Sequence, residues 1–138
     1  MDKTLLKNSW ILAGSLLLIN IISGLIILTV VEFFNIGNSG MSGIAAIIGA
    51  GIIGQIYTMN FKEIMPKKLR IKVTVTYILA QMALGSLYIF ILGVPNYLLF
   101  FGILIGINLF YSLFIYWMLG LSGKTYFKAL QKREPSKK

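Results

Sequence analysis

The sequence contains no cysteine and no histidine. Structural zinc, haem held through either residue, Ser-His-Asp catalysis and cysteine nucleophiles are therefore excluded within the chain, and no disulfide can form. Charge is scarce too: 12% of the 138 residues are Asp, Glu, Lys or Arg, where a soluble domain carries about 25%. Between Trp10 and Leu119 the charged residues are Glu32 and a cluster from Lys62 to Lys72. The four acids (Asp2, Glu32, Glu63 and Glu134) form no pair placed for acid–base work and no cluster with metal-ligand spacing. The expectation is a protein that is not an enzyme and holds no cofactor.

What fills the chain instead is apolar: 57% of residues are hydrophobic. A helix needs about 20 mostly apolar residues to cross some 30 Å of hydrocarbon. Four such runs are present, at about 10–31, 41–59, 73–94 and 97–119. They are continuously apolar rather than alternating, which favours helices over a barrel. The first run is too long for the apolar part of a signal peptide, and no A-x-A-like site follows it. The expected fold is all-α, an antiparallel four-helix membrane bundle forming one domain over residues 1–138.

The connections between runs alternate in charge. The loop "EFFNIGNSG" and the turn "GVPN" carry no Lys or Arg, whereas "NFKEIMPKKLRIK" carries five. In this threading all 13 basic residues fall on one side, which by the positive-inside rule is cytoplasmic. Both termini are then inside. Trp10, Tyr57, Tyr77, Tyr116 and Trp117 fall at the inner ends of their spans, and Tyr97, Phe33 and Phe34 at the outer ends, where aromatic rings favour the headgroup level.

Two features look like nucleotide or nucleic-acid signals. The net charge is +9, but the bases adjoin long apolar runs, so anionic lipid on the cytoplasmic face is the expected partner rather than nucleic acid. The stretch "GLSGKT" ends like a phosphate loop, yet the first glycine of G-x-x-x-x-G-K-[ST] would stand where Met118 is. A span precedes it rather than a strand, so no nucleotide is expected. Gly120 and Gly123 read instead as the place where the fourth helix stops or bends. The tail, residues 122–138, reads as a basic amphipathic helix on the inner leaflet. Lys67, Lys68, Arg70, Lys72, Lys124, Lys128, Lys132 and Arg133 are the expected headgroup contacts. As function, the loop from Lys62 to Lys72 would dock an acidic partner or a phosphoinositide-like lipid; otherwise it only sets orientation.

Within the spans, Ser42, Ala46, Ala50 and Gly54 recur every fourth residue, and Gly102 and Gly106 form a GxxxG. Small residues at this spacing let helix backbones approach, either within the chain or between copies. Asn20, Gln81 and Asn108 are polar groups at membrane depth, where such groups turn inward. Asn20 and Asn108 lie near one level, expected either to bond to each other or to line a polar path. No Asp, Glu, Lys or Arg lies mid-span, which disfavours proton-coupled pumps and voltage sensors.

Gly54-Gln55 after a Gly/Ala-rich span, Pro66 in a charged loop, and Gly123-Lys124 followed by Lys128 together resemble a family of small four-helix bacterial inner-membrane proteins. The resemblance implies a multi-pass protein of the bacterial inner membrane and no activity. The expected function is non-catalytic, through helix–helix or partner contacts: an accessory subunit, or a protector against a membrane-targeted toxin. The alternative is a homo-oligomeric channel or small transporter with a polar path near Asn20 and Asn108. A holin-like pore former is a third. The expected partners are the bilayer and either further copies or another membrane protein.

Overall fold

The computed structural model describes residues 7–34, 41–91, 93 and 96–133, leaving aside the side chains of 27, 28, 30–34, 41–43 and 133. Four helices account for nearly all of this: α1 (Ser9–Phe34), α2 (Met41–Phe61), α3 (Lys67–Ile91) and α4 (Tyr97–Arg133). Each contains a stretch long and apolar enough to cross a membrane.

Local chemistry explains most of the ends. Asn8 caps α1, its Oδ1 accepting the Trp10 N–H at 3.0 Å, which satisfies one of the donors a helix start leaves free. Lys62 follows α2 with a φ of 52°, still bonded from its N–H to the Thr58 carbonyl at 2.8 Å. Pro66 then precedes α3, and the Arg70 N–H donates to its carbonyl at 3.0 Å. Gly93 and Asn96 both take positive φ between α3 and α4, a conformation open to glycine and tolerated by asparagine.

Two expectations about the ends are corrected. The third helix begins at Lys67 rather than near residue 73, so Lys67, Lys68, Arg70 and Lys72 belong to its first turns. The fourth helix does not stop at Gly120 or Gly123 but runs for 37 residues into the basic tail. A helical glycine costs only about 1 kcal/mol relative to alanine, which neighbouring turns and packing absorb.

The helices form a closed ring of contacts in the order α1, α2, α4, α3. Gly49 of α2 meets Leu16 and Ile19 of α1, while Lys7 lies over the Phe61 ring, so these two helices run antiparallel. Gly85 meets Leu104, and Arg70 lies on Gly120, so α3 and α4 do the same. Gly51 meets Met118, and Thr58 meets Gly123, so α2 and α4 run in the same direction.

These registers place Met41, where α2 starts, level with about residue 26 of α1 and about residue 107 of α4. The other three helices continue beyond it for roughly eight to ten residues, or about 12–15 Å. Among the described residues the end carrying the basic loop thus has four helices, and the far end has three. The core follows this asymmetry. Leu12, Leu16, Ile53, Val73, Ile115 and Leu119 are buried in the basic half, and Met65 closes it from the loop. Toward the far end Leu25, Leu87, Leu98 and Leu109 are exposed. An open apolar groove of about 680 Å³ lies there between α3 and α4, lined in part by Ser86, Phe90, Tyr97 and Phe101.

At Gly54, α2 meets the backbone of α4. A Cβ added at Gly54 would stand 2.6 Å from the Leu119 carbonyl oxygen, a backbone atom that no rotamer change can move. Gly54→Ala is expected to destabilise the fold by about 1–3 kcal/mol, the usual range for overpacking. Gly102→Ala meets nothing within 4 Å and is expected to be neutral or stabilising by up to about 1 kcal/mol. Unfolding of the detergent-solubilised chain by dodecyl sulfate, followed by tryptophan fluorescence, measures both.

Candidate functional site

On α3, Arg70, Thr74, Tyr77 and Gln81 stand at spacings of four, three and four residues, which puts them on one helix face. That face points into the bundle: Tyr77 is 3% exposed and Thr74 5%. The Tyr77 hydroxyl is the hub. Its oxygen accepts from Asn20 Nδ2 on α1 and from Gln81 Nε2 one turn on, both at 2.9 Å. A phenol has two acceptor positions and one donor, so both acceptor positions are filled.

Three polar atoms along this seam are buried without a partner: Arg70 Nε, Thr74 Oγ1 and Asn20 Oδ1. Thr74 contrasts with Thr58, Ser86, Ser122 and Thr125, whose hydroxyls each donate to the carbonyl four residues earlier. Turning the Asn20 amide over would let the Tyr77 O–H donate to its carbonyl and leave the amide nitrogen orphaned instead. In either orientation one end of the Asn20 amide lacks a protein partner.

Arg70 is half-buried at the start of the stripe. Its guanidinium lies 5.0 Å from the centroid of the Tyr116 ring and presses on Gly120 where a side chain would begin. The arrangement needs glycine at 120. Among the described side chains Glu63 is the only acid, and its Oε1 accepts the Tyr57 hydroxyl at 3.2 Å. Among the described side chains Arg70 therefore answers an aromatic face rather than a carboxylate.

The stretch "GLSGKT" belongs to the same region and serves packing. Gly120 receives Arg70 from α3, while Ser122 and Gly123 receive Gly54 and Thr58 from α2. Two hydroxyls inside this contact, those of Thr58 and Ser122, are satisfied by their own helices at 2.9 and 2.8 Å. Small residues here let two neighbours meet one helix at adjacent turns.

The residues singled out from the sequence separate into distinct groups. Ala46, Ala50 and Gly54 are buried inside the chain, and the side chain of Ser42 lies outside the described residues. Gly102 and Gly106 are exposed with nothing within 4 Å. Asn20 and Asn108 do not bond to each other: Asn108 Nδ2 donates to its own Leu104 carbonyl at 2.8 Å. Lys67, Lys68, Lys72, Lys124, Lys128 and Lys132 are exposed, Arg70 is not, and the Arg133 side chain lies outside the described residues. Tyr57 and Tyr77 are buried rather than facing headgroups, whereas Trp10 and Trp117 are exposed. Sequence reasoning missed the roles of Tyr77 and Thr74. The spacing of 70, 74, 77 and 81 was the signal that could have found them.

Tyr77→Phe removes the oxygen that two amides share. It is expected to cost about 1–2 kcal/mol, the upper range for hydrogen bonds between membrane helices, while Asn108→Ala stays within about 0.5 kcal/mol. Unfolding of the same detergent-solubilised chain distinguishes the two, and equal losses would remove Tyr77 from its central place. No family model, no curated protein and no solved structure matches this chain.

Proposed function

We propose that this chain is a multi-pass protein of a bacterial inner membrane, with both termini cytoplasmic, that acts by lateral contact as an accessory or protective protein. The observation that carries this reading is the unpartnered face of α4. Gly102, Gly106, Leu109, Leu113 and Trp117 follow one another at four- and three-residue spacings, and all are exposed. A GxxxG continued by Leu, Leu and Trp offers another helix a close backbone approach followed by a large apolar contact. The four apolar helices and the one-sided distribution of bases support the membrane and its orientation.

A homo-oligomeric channel is the second reading, favoured by the orphaned end of the Asn20 amide. Against it, Asn108 is bonded to its own helix, and the Asn20 amide is tied to Tyr77, so the two do not form one polar path.

A single cysteine at Gly102 tests the contact in intact membranes, since the native chain has none to compete. Gly102→Cys is expected to crosslink to a neighbouring chain, whereas a cysteine at Leu104, which packs on Gly85, is expected not to. The absence of any intermolecular product from Gly102, Gly106 and Leu109 would remove the contact reading. A cysteine at Asn20 that reacts with a membrane-impermeant thiol reagent would put the channel in its place.

A further inference from the structure

We propose that Arg70, held between Tyr116 and Gly120 on the seam of α3 and α4, is a specific site for a phosphate-bearing anion, the headgroup of an anionic lipid being the source at hand. This goes beyond the contact reading and does not depend on it.

An arginine in this position is costly unless something answers its charge. Its Nε is buried with no acceptor. The one acid with a described side chain, Glu63, is engaged by Tyr57. Tyr116 offers a π face, which attracts the cation but accepts no in-plane hydrogen bond. Buried polar groups without partners are rare, and an absent ligand is one of their standard causes. A phosphate supplies several acceptor oxygens at once, matched to the guanidinium fork in a way that a point-charge ammonium is not.

The surroundings favour an anion over a neutral ligand. Lys67 lies one turn before Arg70 on α3, Lys124 one turn beyond Gly120 on α4, and both are exposed. Charge on the seam is thus of one sign. Depth favours a headgroup as well. The bond between Asn20 and Tyr77 sets α1 and α3 in a register that puts Trp10 near the level of Lys67, and Trp117 lies within a turn of Gly120. Both indoles are exposed, and such rings settle at the headgroup zone. Basic clefts between membrane helices at that depth take anionic headgroups.

The site differs from the other bases in being built. Lys68, Lys72, Lys128 and Lys132 are exposed and attract any anionic surface. Arg70 is oriented by an aromatic ring on one side and by a glycine that leaves it room on the other. A built site discriminates among lipids, and it depends on one residue rather than on the net charge.

Native mass spectrometry of the full chain, released from detergent in the presence of phosphatidylglycerol or phosphatidylcholine, tests this. The unmodified chain is expected to retain phosphatidylglycerol roughly tenfold better, the worth of one charge-assisted hydrogen bond. Arg70→Gln is expected to remove most of the preference, Arg70→Lys to reduce it, and Lys128→Gln, which removes the same charge from outside the site, to lower it only slightly. Equal retention of both lipids by the unmodified chain would overturn the proposal without any variant having to fold. So would equal losses from Arg70→Gln and Lys128→Gln. Displacement of phosphatidylglycerol by millimolar inorganic phosphate would keep the site but make a soluble phosphate compound its ligand.

Discussion

Helix α2 rests on α4 almost backbone to backbone, and the rest of the structure is arranged around that contact. At Gly54 there is no room for even a methyl group before the Leu119 carbonyl. Thr58 fits the space that Gly123 leaves open, and both hydroxyls in the contact turn back on their own helices. Within a bilayer, burial of apolar surface gives helices little reason to associate, because lipid tails are as apolar as the side chains. Close approach, dispersion and a few hydrogen bonds then have to hold them together. The two parallel helices meet where small residues concentrate, and α1 and α3 close the ring from the other side.

The shortness of α2 has consequences at both ends. Where all four helices are present, the core is closed by Tyr57, Met65 and Leu119. Beyond the level of Met41 the described residues form three helices, and the inward-facing residues of α3 and α4 become partly exposed. The polar residues divide along the same line. Thr74 and Tyr77 lie in the closed half, where Tyr77 gathers Asn20 and Gln81. Asn108, near the start of the open half, satisfies itself along its own helix. Among the described side chains, the Tyr77 cluster and Asn108 are bonded separately.

The closed half also holds what is chemically unresolved. Arg70 Nε, Thr74 Oγ1 and Asn20 Oδ1 lie along one seam, spaced over about 10 Å of helix. Two of them belong to the inward face of α3 and the third meets it from α1, so among the described residues this seam has hydrogen-bonding capacity to spare, while α4 keeps exposed apolar surface. The proposed partner contact through α4 and the proposed anion site at Arg70 draw on one each.

Much of the fold was legible in the amino acids alone, because continuous apolar runs of this length have one stable form in lipid. The four helices, the position of the turn at Gly93 and Asn96, and the absence of cysteine and histidine chemistry all follow from residue type and spacing. The one-sided placement of Lys and Arg likewise needs no coordinates. The tertiary structure alone decided which small residues are filled and which are open. Gly54 and Gly102 are both glycines in small-residue patterns, yet one lies against a carbonyl and the other faces outward. It also decided that Tyr77 is a hub rather than an interfacial anchor, that α4 continues through Gly120 and Gly123, and that Arg70 stacks on a ring. The physical reason is common to all four. Helical periodicity assigns each residue to a face, but what that face meets depends on how neighbouring helices cross and slide. The crossing is set jointly by side chains far apart in sequence.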